Sequence, residues 1–218
     1  MAPPLRHTSN EITSGVLHLL GAISGVALLI VLVVFAALNG NAWHVTSFTV
    51  YGACMILLYL ASTIYHLVPH TKERAKMILQ RIDHAVVYVF IAATYTPVCF
   101  LVLDGLSRWV VFGVLWGLAC LGATLKLTGA KTHYAVPLFL YLSMGWFIIF
   151  FLPTLLTVMS ATALTLLILG GVSYTLGVIF FVLESKLPPR KYFWMHELFH
   201  VFVLGGTTLH TIMMFLLL

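Results

Sequence analysis

Three histidines, two carboxylates and a serine are spaced so that their chemistry could meet. Ser62 and His66 are four residues apart, and so are His196 and His200. On a helix that spacing puts each pair on one face, with Cβ atoms about 5–6 Å apart. Two imidazoles from one helix and a third from a neighbour leave one corner of a tetrahedron open, as catalytic zinc sites do. Manganese and iron ask for more oxygen ligands, so the expected ion is Zn2+, held by His66, His196 and His200. Water at an open zinc position is acidified to a pKa of about 7 and becomes a nucleophile. Asp83 is then expected to bind or deprotonate that water, and Ser62 to hydrogen-bond a ligand, the water or a substrate carbonyl. These two are the expected catalytic residues.

His196-Glu197-Leu198-Phe199-His200 also satisfies the H-E-x-x-H pattern of zinc proteases, whose glutamate is the general base. One step along a helix turns a side chain by about 100°, away from His196, which favours Asp83 as the base. Glu197 stays as the alternative, and with His18 and His84 as a candidate for the shell around the ligands. His7, His44, His70, His133 and His210 read as ordinary interfacial or hydrogen-bonded histidines. Asp83 read blandly is a helix-starting charge that suits the dipole.

The elements that must position these residues are membrane helices. The chain of 218 residues is 61% hydrophobic and only 8% charged, whereas soluble domains carry about a quarter charged residues. A membrane helix needs about 20 mostly apolar residues. Seven such runs fall near 16–38, 45–68, 83–103, 107–127, 133–152, 161–183 and 195–218, after a short polar segment, 1–15. The runs are unbroken, whereas β-barrel strands alternate and are about ten residues long. The expectation is an all-α integral membrane protein, a seven-transmembrane helix bundle in one domain, 16–218. Gly21 and Gly25, and Gly113 and Gly117, read as close helix contacts. Pro97 and Pro137 should kink their spans. Cys54, Cys99 and Cys120 lie in apolar runs and imply no disulfide framework. Trp43, Trp109 and Trp194, near span ends, read as interface anchors.

With seven spans, ten of the eleven lysines and arginines fall on one side and Arg108 alone on the other. The positive-inside rule then puts the N-terminus in the cytoplasm and the C-terminus outside. It also explains the basic balance without nucleic acid. Span 2 runs inward to His66, while spans 3 and 7 leave the inner face at Asp83 and at His196. All three polar clusters therefore meet near the cytoplasmic face, where ionisable groups in spans are functional by default. Other seven-helix chemistries fail by absence. Span 7 has no lysine for a retinal Schiff base, there is no second histidine layer for haem, and the span centres hold no carboxylate path for a proton pump.

Ser62-x-x-x-His66, Asp83 and His196-x-x-x-His200, in this order across seven spans, resemble the hemolysin III family, bacterial relatives of the adiponectin and progestin receptors. The stretch from Asn10-Glu11-Ile12 through His18 to Gly21 resembles that family's N-terminal segment, and Gly170 to Gly177 its sixth span. The same set is shared with a wider group of membrane hydrolases that includes alkaline ceramidases. The resemblance implies a seven-helix bundle with an inward N-terminus and zinc on His66, His196 and His200 in the cytoplasmic leaflet. It further implies that Asp83 and Ser62 lie around a bound water.

The leading functional expectation is a zinc-dependent hydrolase of a lipid amide or ester in the plasma (inner) membrane, serving membrane lipid homeostasis. The alternatives are a non-enzymatic, zinc-stabilised membrane sensor and a pore-forming cytolysin; the latter should show amphipathic pore-lining spans, which are not visible. A membrane lipid is the expected partner. Neither nucleic acid nor a protein hormone is expected, and a homo-oligomer is left open.

Overall fold

The structure, a computed structural model, describes residues 8–133, 135–188 and 190–218. Arg6 and His7 lie outside the described residues. The described chain holds eight α-helices and no strand: α1 (Thr8–Asn39), α2 (Ala42–Leu67), α3 (Glu73–Leu101), α4 (Gly105–Leu127), α5 (Ala135–Gly145), α6 (Leu152–Val158), α7 (Ala161–Glu184) and α8 (Met195–Phe215). A 3-10 turn, Phe147–Phe151, joins α5 to α6. Together these three form one span, so the chain has seven segments long and apolar enough to cross a membrane.

Two helices begin well before their apolar runs. The first starts at Thr8 rather than at 16, and its polar opening is buried: Asn10, Glu11, Ser14 and His18 all face the protein interior. The third starts at Glu73 rather than at 83. Its lead-in, Glu73 to Arg81, is made of good helix formers, with an acidic residue in the first turn where the dipole favours it. Both extensions carry residues that the site uses.

The proline expectations change. Pro137 sits in the first turn of α5, where a missing N–H costs nothing, and it does not break its helix. The break comes later in the same span, after Gly145, where the chain tightens into the 3-10 turn ahead of Pro153 in the first turn of α6. Proline cannot donate to the turn before it, which favours a break at 145–153. The third helix runs through Pro97 without interruption.

Helix α1 packs on α2 and α8, α3 lies between α2 and α4, and α7 covers α8. One glycine pair fits the close-packing reading. A Cβ on Gly21 would meet Leu204 at 2.8 Å and Tyr59 at 3.0 Å, so α1 needs glycine to approach α2 and α8 together. Gly113 and Gly117 do not fit it, because a Cβ on either would meet nothing within 4 Å. Where lipid tails are as apolar as side chains, interhelical hydrogen bonds add to packing. Here Tyr59 donates to Thr207 Oγ1 at 2.8 Å, Tyr174 shares that hydroxyl at 3.0 Å, and Tyr51 meets Thr211 Oγ1 at 2.8 Å. These bonds tie α2, α7 and α8 through the middle of the bundle.

At one end, Trp43 stacks on Phe100 with centroids 4.6 Å apart, and Trp109 meets Trp43 edge-on. Asp104, at the N-cap of α4, is exposed there. The histidine pairs lie at the opposite end. Every described lysine and arginine except Arg108 is at that end too, in a connection or the turns beside it.

Candidate metal centre

His66 stands in the last turn of α2, while His196 and His200 occupy the first two turns of α8. All three are buried, at 2%, 7% and 1% exposure. One ligating atom from each lies within 4.8 Å of the others. The ring centroids are 4.6 Å apart for His196 and His200, and 5.0 and 5.2 Å from His66 to His200 and His196. Residues 130 positions apart in sequence thus present three imidazoles to one point.

Each ring is oriented through its Nδ1. His66 Nδ1 meets Glu11 Oε2 at 3.0 Å, and His196 Nδ1 meets Glu184 Oε2 at 3.1 Å. His200 Nδ1 faces the Ser14 carbonyl at 3.3 Å. An Nδ1–H given to an oxygen acceptor fixes the tautomer in which Nε2 carries the lone pair, and it raises the basicity of that nitrogen. Metal-binding histidines are held in this way. The donor set and its oxygen partners fit a zinc ion.

The supports are themselves supported. Glu11 Oε2 also accepts from Lys76 Nζ at 2.7 Å, and Lys76 donates to the carbonyls of Tyr65 at 2.7 Å and His66 at 3.3 Å. A lysine this deeply buried is tolerable only when fully paired, and here it also satisfies carbonyls in the final turn of α2. His18 lies flat against His200, with centroids 3.7 Å apart and planes at 8°, and edge-on to Tyr59. Both of its ring nitrogens are buried without a hydrogen-bond partner. His18 therefore acts on the site by packing against the face of His200.

Glu197 is completely buried and points toward α1. It accepts from Asn10 Nδ2 at 3.1 Å, Ser14 Oγ at 3.0 Å and its own N-cap amide at Trp194, 2.6 Å. Those bonds pin the residue whose carbonyl takes His200. Ser62 is buried one turn before His66 on the same helix. Thr63 and Ser47 return their hydroxyls to their own helix, whereas Ser62 forms no such bond among the described residues. Asp83 is half-buried on α3 and lies outside the set of groups within 4.8 Å of one another. It follows Lys76 by seven residues, so both leave the same face of α3. His84 turns elsewhere: it lines a separate cleft, and its carbonyl accepts from Tyr141 at 2.9 Å.

Sequence reasoning assigned no role to Glu11, Ser14, Lys76 or Glu184. A signal existed on α1, where Asn10, Ser14 and His18 recur every fourth residue on one face before the apolar run. Glu184 gave none, because it reaches His196 only across the connection between α7 and α8.

Comparison with known proteins shows the family. Residues 6–211 match the model of a family described as haemolysin-III related. The chain belongs to that family. It is 38% identical over 197 residues to the Hemolysin-3 homolog of Bacillus subtilis (strain 168), covering 90% of this chain and 89% of that one. It is 36% identical over 199 residues to Hemolysin-3 of Bacillus cereus, covering 91% and 87%. A more distant relative is the monocyte to macrophage differentiation factor of Homo sapiens, 30% identical over 182 residues, covering 79% and 71%. The relatives of this haemolysin-III family chain thus include proteins of bacteria and of animals.

Proposed function

We propose that this membrane protein is a zinc-dependent hydrolase of a lipid amide or ester, working near the cytoplasmic face of the plasma membrane. The observation that carries the reading is the anchoring of all three imidazoles through Nδ1, with one ligating atom of each buried ring within 4.8 Å of the others. A zinc ion held by His66, His196 and His200 supplies Lewis-acid chemistry, polarising a carbonyl and acidifying water. With only three protein ligands, such a centre keeps a position open for chemistry.

The chain's own residues then divide the work. Asp83 leaves the face of α3 that Lys76 uses to reach Glu11 beside His66, and it is not one of the clustered ligand groups. In this reading its carboxylate takes a proton from the attacking water and delivers it to the departing amine or alcohol. The water oxygen bonds to the carbonyl carbon as the amide or ester bond breaks. Ser62, whose hydroxyl is not spent on its own helix, hydrogen-bonds the carbonyl oxygen. Glu197 is unsuited to the base role because its carboxylate holds Asn10, Ser14 and the N-cap of α8. The surplus of lysine and arginine at the histidine end supports a cytoplasmic placement.

The test is hydrolysis of a labelled lipid panel by purified protein, with and without a chelator. Asp83→Asn should keep zinc while hydrolysis falls by roughly 10²–10⁴-fold, the usual contribution of general acid–base assistance. If no lipid is turned over and chelation lowers only the melting temperature, the metal is structural and the sensor reading takes its place. That second reading draws on one observation: the cluster joins α1, α2, α3 and α8, as a staple would.

A further inference from the structure

A second site lies on the other side of α3. A cleft of about 320 Å³ opens between α3, the end of α4 and the start of α5, at the same end of the bundle as the histidines. The polar side chains that line it include Gln80, Arg81, His84, Lys126 and Thr132, above apolar groups that include Tyr88 and Leu140. Arg81, His84 and Tyr88 recur at helical spacing on α3, turned away from Lys76 toward α4 and α5, with Gln80 at the border of the two faces.

The two cations lack protein counter-charges. Among the described residues, neither Arg81 nor Lys126 takes part in an ion pair, although both are half-buried. Among the described residues, the side chain of Arg81 makes one long contact, from Nη2 to Met77 Sδ at 3.9 Å. Its guanidinium is nevertheless seated. Gly129 has φ +69°, and a Cβ there would meet Arg81 Nη2 at 2.5 Å and Cζ at 2.6 Å. Only a residue without a side chain lets the guanidinium lie against the turn after α4. Two half-buried cations over an apolar floor suit a ligand with an anionic head and a hydrocarbon part.

We infer that this cleft binds the headgroup of an anionic phospholipid, with Arg81 and Lys126 on the phosphate and the start of the acyl region over Tyr88 and Leu140. The inference rests on the membrane reading of the seven helices and is independent of the metal centre. Juxtamembrane cations attract anionic lipid by about 1 kcal/mol each, so two of them give roughly a thirtyfold preference over a zwitterionic lipid.

The experiment is competition for the purified full chain between phosphatidylglycerol and phosphatidylcholine of identical acyl chains, read as bound lipid by native mass spectrometry. The wild type should retain phosphatidylglycerol with about that preference. The Arg81→Gln, Lys126→Gln pair should bring it close to unity. Gly129→Ala, which keeps every charge but displaces the guanidinium, should lose the share belonging to Arg81. Lys131→Gln removes a charge from the same connection outside the cleft and should leave the preference intact. No preference in the wild type, or an equal loss in Lys131→Gln, overturns the site. Displacement of the lipid by inorganic phosphate at equal concentration assigns the cleft to a free anion and overturns the lipid.

Discussion

Glu11 illustrates how the centre depends on side chains that are not ligands. Its carboxylate bridges Lys76 and His66, so it fixes one imidazole and neutralises one buried cation at once. Glu11→Gln keeps the volume but removes the charge, and it should weaken zinc binding by roughly 10–100-fold, the usual effect of losing such a support. Competition with a metal-binding dye measures it. An unchanged affinity would mean that Glu11 serves Lys76 alone. Glu184→Gln at His196 should behave alike, whereas Lys131→Gln should have no effect on the metal. The grouping of His66, His196 and His200 was legible in the sequence because helical spacing determines which residues share a face. The rule that one step turns a side chain by about 100° also anticipated the orientation of Glu197. The carboxylates behind the imidazoles were not legible, since Glu11 meets His66 and Glu184 meets His196 through packing between helices, which no local spacing encodes.

At the scale of helices, hydropathy located all seven spans but misjudged their ends. Apolar runs mark where lipid lies, while a helix continues wherever buried partners satisfy its polar residues, as for Asn10 to His18 on α1 and Lys76 on α3. Glycine spacing proved equally incomplete. Gly21 and Gly113 begin the same three-residue gap to a second glycine, yet only the first faces neighbouring side chains. Gly21→Leu should therefore overpack the junction of α1, α2 and α8 and cost about 1–3 kcal/mol, whereas Gly113→Leu should be nearly neutral. Thermal unfolding in detergent compares the two, and equal losses would contradict this packing.

For the whole molecule, the distribution of cations predicts a direction across the membrane. Because every described lysine and arginine but Arg108 sits at the histidine end, a reporter active only in the cytoplasm should work after Met1 and fail after Leu218. Reporting from both termini would require an even number of crossings and would separate the charge count from the seven helices. The bundle also explains why the site sits where it does. Helix α1 lies against both α2 and α8, which makes it the element able to support His66 with Glu11 and His200 with Ser14 together.

The central claim is that three imidazoles from α2 and α8 form one zinc centre, and metal content tests it most directly. Purified wild-type protein should hold about one zinc per chain, as three-histidine sites do. The His196→Ala, His200→Ala double variant should lose the metal and melt at a lower temperature, because the ion joins two helices and its binding energy is folding energy. Full zinc occupancy in that double variant would contradict the account.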